Sequence, residues 1–185
     1  MENLFLLIKV MEFLSTNFEN LYLIKLDANS DFRGNFSRIF CEKVYSNFNI
    51  NFAIKQVSLA TNIKKHTLRG IHFQKHPMQE QKLLHCLRGE IWDVVVDIRK
   101  NSKTFGKWQN FHLDKNNCLF IPSGFAHGYI TLTNKVEIIY FMDEFYDAKA
   151  STGLIWNDKE VNISWPYQPK VISKNDQNLF KLNEL

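Results

Sequence analysis

The chain has 185 residues, 45% of them hydrophobic and 14% aromatic, including 16 Phe, enough apolar surface to bury one substantial core and too much for disorder. A net charge of +4 without a dense Lys/Arg run excludes a nucleic-acid footprint. Cys41, Cys86 and Cys118 are odd in number and widely spaced, which predicts reduced thiols in a cytoplasmic protein.

The opening apolar run, residues 4–11, is short and broken by Lys9; it predicts neither a signal peptide nor a membrane span. Residues 1–20 read as an N-terminal extension, with Met11 an alternative start, and residues 21–185 as one domain. Residues 21–26 form a first predicted strand. Residues 27–31 are turn-prone and lead into Arg33-Gly34. A short helical turn is expected within residues 42–51 and a strand at residues 52–59.

Leu68–Gln74 reads as a strand that puts His72 and Gln74 on one face and Ile71 and Phe73 on the other. Residues 82–87 form the next strand, ending in a tight turn at Gly89-Glu90. In residues 91–98 the period of two is clearest: Trp92, Val94, Val96 and Ile98 make an apolar wall, while the opposite face carries Asp93 and Asp97. Further strands are predicted at residues 109–113, 118–121, 127–132 and 136–141, separated by turn residues. Many short strands with almost no helical periodicity predict an all-β antiparallel sandwich or barrel. Near the C-terminus residues 173–182 read as a short helix, with Ser173 as its N-cap.

Three separate strands therefore carry His72, His127 and Tyr140, and in a closed β fold alternate side chains converge on one interior. Histidine titrates near neutrality and can take a proton from carbon, while tyrosine is a natural proton donor to a carbanion or enolate. A base and an acid on opposite sides of one carbon are what epimerisation requires. Lys82, Arg69 and Arg33 lie beside glycine or in strands, where cations can pair with phosphates or an enolate oxygen.

The blocks Arg33-Gly34, Leu68-Arg-Gly-Ile-His-Phe-Gln74, Lys82-Leu83, Gly89-Glu-Ile-Trp-Asp-Val-Val-Val-Asp-Ile-Arg99, Ser102-Lys-Thr-Phe-Gly106, Ile121-Pro-Ser-Gly-Phe-Ala-His-Gly128, Trp156-Asn-Asp158 and Trp165-Pro166 resemble, in unbroken order, the signature blocks of the dTDP-4-dehydrorhamnose 3,5-epimerases. The resemblance implies a cupin-type jelly roll acting as a homodimer, with residues 1–20 among the dimer contacts and with no metal or cofactor. It further implies reversible proton abstraction at C3 and C5, or at C3 alone, of a nucleotide-diphospho-4-keto-6-deoxyhexose in deoxysugar synthesis. By position His72 corresponds to the base, Asp176 to the carboxylate that orients it, Tyr140 to the general acid and Lys82 to the group that stabilises the enolate. His127 would line the pocket, Arg33 and Arg69 would hold the diphosphate, and Gln56 and Tyr146 would lie near nucleotide and sugar.

The chain departs from that pattern at Arg38, where a glutamate near the base is usual, at Gln56-Val-Ser-Leu-Ala60 and at Glu80-Gln81 before the lysine. Arg38 thus raises a cytidine, uridine or guanosine carrier as an alternative to thymidine. Three other functions compete: a metal-dependent cupin using His72, His76, Glu80 and His127, though without a His-x-His pair; a 3,4-ketoisomerase; and a sugar-binding module without catalysis.

Overall fold

The structure, a computed structural model, describes residues 11–185, so most of the opening apolar run lies outside the described residues. Short β-prone runs pair into two antiparallel sheets. One has six strands in the order β1 (Met11–Ser15), β2 (Tyr22–Leu26), β10 (Asn117–Ile121), β7 (Lys82–Arg88), β12 (Val136–Met142) and β5 (Gln56–Asn62). The other has five, in the order β13 (Ser151–Gly153), β6 (Leu68–Gln74), β11 (Phe125–Thr131), β8 (Ile91–Asp97) and β9 (Trp108–Leu113). Sheet neighbours are mostly distant in sequence, and the chain crosses repeatedly between the sheets, which is the cupin-type jelly roll.

Between the sheets lies a core that includes Leu84, Leu119 and Ile138 from one side and Ile91, Val95 and Phe125 from the other. Each sheet is also covered on its outer face. Helix α1 (Glu42–Ser46) buries Val44 and Tyr45 in a cluster with Leu83 and Phe120, and the C-terminal segment lays Leu154, Val161 and Leu182 over Ile71, Val96 and Ala126. This double covering explains why both faces of β8 are buried, so that neither Asp93 nor Asp97 reaches solvent.

Several expected elements shift. Met11–Ser15, placed in the extension by the sequence, is an edge strand paired antiparallel with β2, and Phe18 enters the core. The turn-prone residues 27–31 instead supply β3 (Ala28–Asp31), paired with β4 (Gly34–Ser37) in a hairpin whose tip is Phe32-Arg33; its residues are mostly exposed, so no apolar alternation announces it. The strand expected at residues 52–59 begins later, because Phe52 leaves the sheet to pack edge-on against Phe120 at a centroid distance of 5.6 Å. In place of the C-terminal helix there are two 3-10 turns, Asp176–Asn178 and Leu182–Glu184, separated where Phe180 bridges to Leu154. Ser173 is not the N-cap, which is Asn175, though its Oγ accepts the Asp176 N–H at 3.0 Å. Among the described residues, no helix is long and apolar enough to cross a membrane.

Candidate active site

A cavity of about 920 Å³ opens between the sheets, lined from β5, β6, β7, β11, β12, β13 and the C-terminal segment. Its floor depends on the contact of β6 with β11. His72 pairs opposite His127 and Arg69 opposite Tyr129, with a register shift between them. His72 and Arg69, three residues apart, therefore both meet neighbours that lie on one face of β11. Two glycines permit the approach. A Cβ on Gly128 would lie 2.9 Å from the Arg69 carbonyl oxygen, and one on Gly70, whose φ is +124°, would lie 2.5 Å from the Gly128 Cα.

His72 Nε2 sits 2.8 Å from Asp176 Oδ1, and the second carboxylate oxygen accepts the Gly70 N–H at 3.3 Å. The His72 side chain is 42% exposed while that of Asp176 is 7% exposed: one ring nitrogen is anchored, and Nδ1 remains for a proton. Burial works against the Asp176 carboxylate, but the hydrogen bond and charge of His72 and the Gly70 N–H outweigh it and hold the carboxyl below its usual range.

Lys82 and Tyr140 enter from the opposite sheet. Lys82 Nζ pairs with Glu80 Oε1 at 2.8 Å, both side chains being nearly buried, and Glu80 Oε2 is buried without a partner. The Tyr140 ring meets His127 edge-on at 6.3 Å between centroids. Burial, reinforced by the adjacent Tyr129, pushes the Tyr140 phenol well above its ordinary pKa, so it holds its proton at neutral pH. His127 Nε2 is 2.6 Å from Asp93 Oδ2 in a fully buried pair. Burial raises the Asp93 carboxyl, opposed by the charge and hydrogen bond of His127 and by the charge of Lys82.

The cavity gathers His72, Asp176, Tyr140, Lys82, His127, Arg69, Gln56 and Tyr146. Gln56 Oε1 fixes the Tyr146 backbone by accepting its N–H at 3.0 Å. Arg33 and Arg38 are not among its lining: Arg33 lies on the exposed hairpin tip, bonded to Asp31. Among the described residues no three His, Cys, Asp or Glu cluster as a metal site; His76 does not line the cavity and Glu80 is committed to Lys82. Sequence reasoning missed Asn62, Tyr129 and the role of Asp93 as the partner of His127. The period of two had placed Asp93 among Ile91 and Val95, and a carboxylate on an otherwise apolar face was the available signal for a buried partner.

The family model described as dTDP-4-dehydrorhamnose 3,5-epimerase matches residues 15–184. The dTDP-4-dehydrorhamnose 3,5-epimerase of Shigella flexneri is 37% identical over 173 residues, spanning 91% of this chain and 94% of that protein. Among solved structures, the dTDP-4-dehydrorhamnose 3,5-epimerase of Bacillus anthracis with TDP and PPi bound superposes with a TM-score of 0.89 at 36% identity, over 92% of this chain and 99% of that one. The dTDP-6-deoxy-D-glucose-3,5-epimerase of Legionella pneumophila in complex with dTDP-4-keto-L-rhamnose gives 0.88 at 31% identity, over 94% and 93%. The chain belongs to the dTDP-4-dehydrorhamnose 3,5-epimerase family.

Proposed function

We propose that this chain inverts C3 and C5 of a thymidine-diphospho-4-keto-6-deoxyhexose through an enolate, in deoxysugar synthesis. Family membership makes it a carbohydrate epimerase of the isomerase class. The observation that carries the mechanism is one cavity holding a histidine–carboxylate pair, a lysine and a protonated tyrosine. His72 Nδ1 takes the proton from the carbon beside the ketone. The C–H electrons move into the ring bond, and the carbonyl oxygen becomes an enolate beside the Lys82 ammonium. One preorganised donor at such an oxygen contributes about 3 kcal/mol. Tyr140 then protonates the carbon from the other face, and its phenolate recovers a proton from solvent. Because the ketone at C4 adjoins both C3 and C5, one lysine serves both inversions.

In this reading Asp176 holds the His72 ring and stabilises its charged form, Arg69 meets the diphosphate, and Gln56, Tyr146 and His127 shape the nucleotide and sugar subsites. A homodimer completes it. Phe32 and Phe36 on the hairpin are 97% and 70% exposed, an apolar tip suited to a second copy, and among the described residues β1 ends its sheet. In such a dimer Arg33 and Arg38, which do not line this chain's own cavity, would meet a nucleotide in the partner's. Sedimentation of a Phe32→Ser, Phe36→Ser variant checks this, since the reading requires a monomer. The three free cysteines support a cytoplasmic protein.

The deciding experiment is proton NMR in deuterated water with thymidine-, cytidine-, uridine- and guanosine-diphospho-4-keto-6-deoxyglucose. Loss of both H3 and H5, fastest with the thymidine carrier, is the expected result. Loss of H3 alone narrows the activity to C3, preference for another carrier corrects the nucleotide, and no exchange with any substrate overturns the reading.

A further inference from the structure

Asn62, the last residue of β5, reaches from one sheet to the other. Its Oδ1 accepts Arg69 Nε at 2.8 Å, and its Nδ2 donates to the Tyr129 hydroxyl at 3.1 Å and to the Val136 carbonyl at 3.5 Å. The Tyr129 hydroxyl donates to the same Oδ1 at 3.3 Å. Two of these partners cannot exchange roles, because an arginine Nε–H only donates and a carbonyl only accepts. The amide therefore has one orientation, oxygen toward Arg69, and it is buried with Tyr129, each at 2% exposure.

For Arg69 the consequence is directional. The guanidinium is a planar fork, and its Nε edge is spent on Asn62. Among the described residues its Nη groups have no hydrogen-bond or carboxylate partner, and the side chain is exposed along the cavity. The Nη edge is thus left to grip an oxyanion with two parallel hydrogen bonds. Charge matters as well as direction. Arg33 is oriented by Asp31 and Arg99 by Asp97, and a carboxylate that holds a guanidinium also offsets its charge. The amide of Asn62 holds Arg69 and leaves that charge whole.

We propose that Asn62 is a positioning residue acting through Arg69: its neutral amide, braced by Tyr129, turns the Nη edge of the guanidinium into the cavity to meet the diphosphate of the nucleotide at full charge. Asn62 itself does not line the cavity, so its effect on a ligand must pass through Arg69. This inference rests on the reading in which Arg69 meets the diphosphate, and it extends that reading to a residue behind the site.

The test is calorimetric affinity for thymidine diphosphate and for thymidine, which lacks the diphosphate. The proteins compared are wild type, Asn62→Ala, Asn62→Asp, Arg69→Met and the double variant Asn62→Ala, Arg69→Met. Asn62→Asp keeps the shape and the acceptor for Nε but adds a charge that offsets Arg69; it also serves if the alanine variant does not fold. Positioning requires both Asn62 variants to bind thymidine diphosphate about 10-fold more weakly while thymidine affinity stays within about twofold. In the Arg69→Met background Asn62→Ala should cost nothing further, because the group it acts through is gone. Equal losses for both ligands, wild-type affinity in Asn62→Asp, or an added loss in the double variant overturns the positioning role while Arg69 keeps the diphosphate. Arg69→Met that binds thymidine diphosphate like wild type, or a wild-type protein that binds it no better than thymidine, overturns the underlying reading itself.

Discussion

His72 and Asp176 are 104 positions apart in the chain and 2.8 Å apart in the fold. A 3-10 turn at the C-terminal end delivers the carboxylate to a strand near the middle of the sequence. Asp176→Asn keeps the shape and removes the charge that the proposed mechanism uses to stabilise the imidazolium, so kcat should fall at least about 100-fold with KM little changed. Steady-state kinetics beside calorimetric affinity for thymidine diphosphate separates the two effects. A variant with unaltered kcat removes Asp176 from the mechanism.

The strands were the legible part of this chain. β6 and most of β7 to β12 follow from alternation and turn residues, because each presents a face to a core that the sequence must fill. β3 and β4 were not legible, since their residues stay largely exposed and hold together through local pairing. The C-terminal helix failed for a different reason: the bridge from Phe180 to Leu154 and the bond from Asp176 to His72 are long-range and override local propensity. In the site, His72, His127 and Tyr140 stood out as reactive groups on strands. Asn62 and Tyr129 did not, because their importance lies in what they touch and not in their type.

In the proposed mechanism Lys82 meets the developing enolate, and in the structure Glu80 is its ion-pair partner. Lys82→Met should lower kcat by about 10²- to 10³-fold, but it also strands a buried carboxylate, which costs several kcal/mol. The double variant Lys82→Met, Glu80→Gln removes that second effect. We expect it to regain stability in chemical denaturation and to stay inactive. Recovery of turnover in the double variant would mean that the loss came from misfolding and not from the oxyanion.

Asp97 closes β8 with a buried network. Its carboxylate accepts from Arg99 Nε at 2.9 Å, Ser102 Oγ at 2.7 Å and Thr104 Oγ1 at 2.6 Å. Burial alone would raise its pKa, but the Arg99, Thr104 and Ser102 hydrogen bonds win and lower it to about 2. A depressed folded pKa contributes stability above the unfolded value, near 3.9, that is lost as pH falls from about 4 to about 2. The shift corresponds to about 2 kcal/mol. Urea denaturation of Asp97→Asn should show roughly that deficit at pH 7 and a flatter acid limb than wild type; equal slopes below pH 4 would assign the acid sensitivity elsewhere.

Gly128 links the fold most directly to the chemistry. An alanine methyl there would meet three backbone atoms of β6, the Arg69 carbonyl oxygen at 2.9 Å, the Gly70 Cα at 3.2 Å and the Ile71 Cα at 3.3 Å. Backbone cannot rotate away as a side chain can, so β6 must move off β11. Overpacking of this kind costs about 1–3 kcal/mol. The same displacement carries Arg69 and His72 with it, and a misplacement of about 1 Å in a reacting group lowers the rate on the order of 100-fold. Gly128→Ala should therefore lose stability in urea and, at a temperature where it stays folded, lose H3 exchange by a larger factor than affinity for thymidine diphosphate. Exchange and affinity declining in step would show that the glycine serves packing alone and leaves the position of His72 untouched.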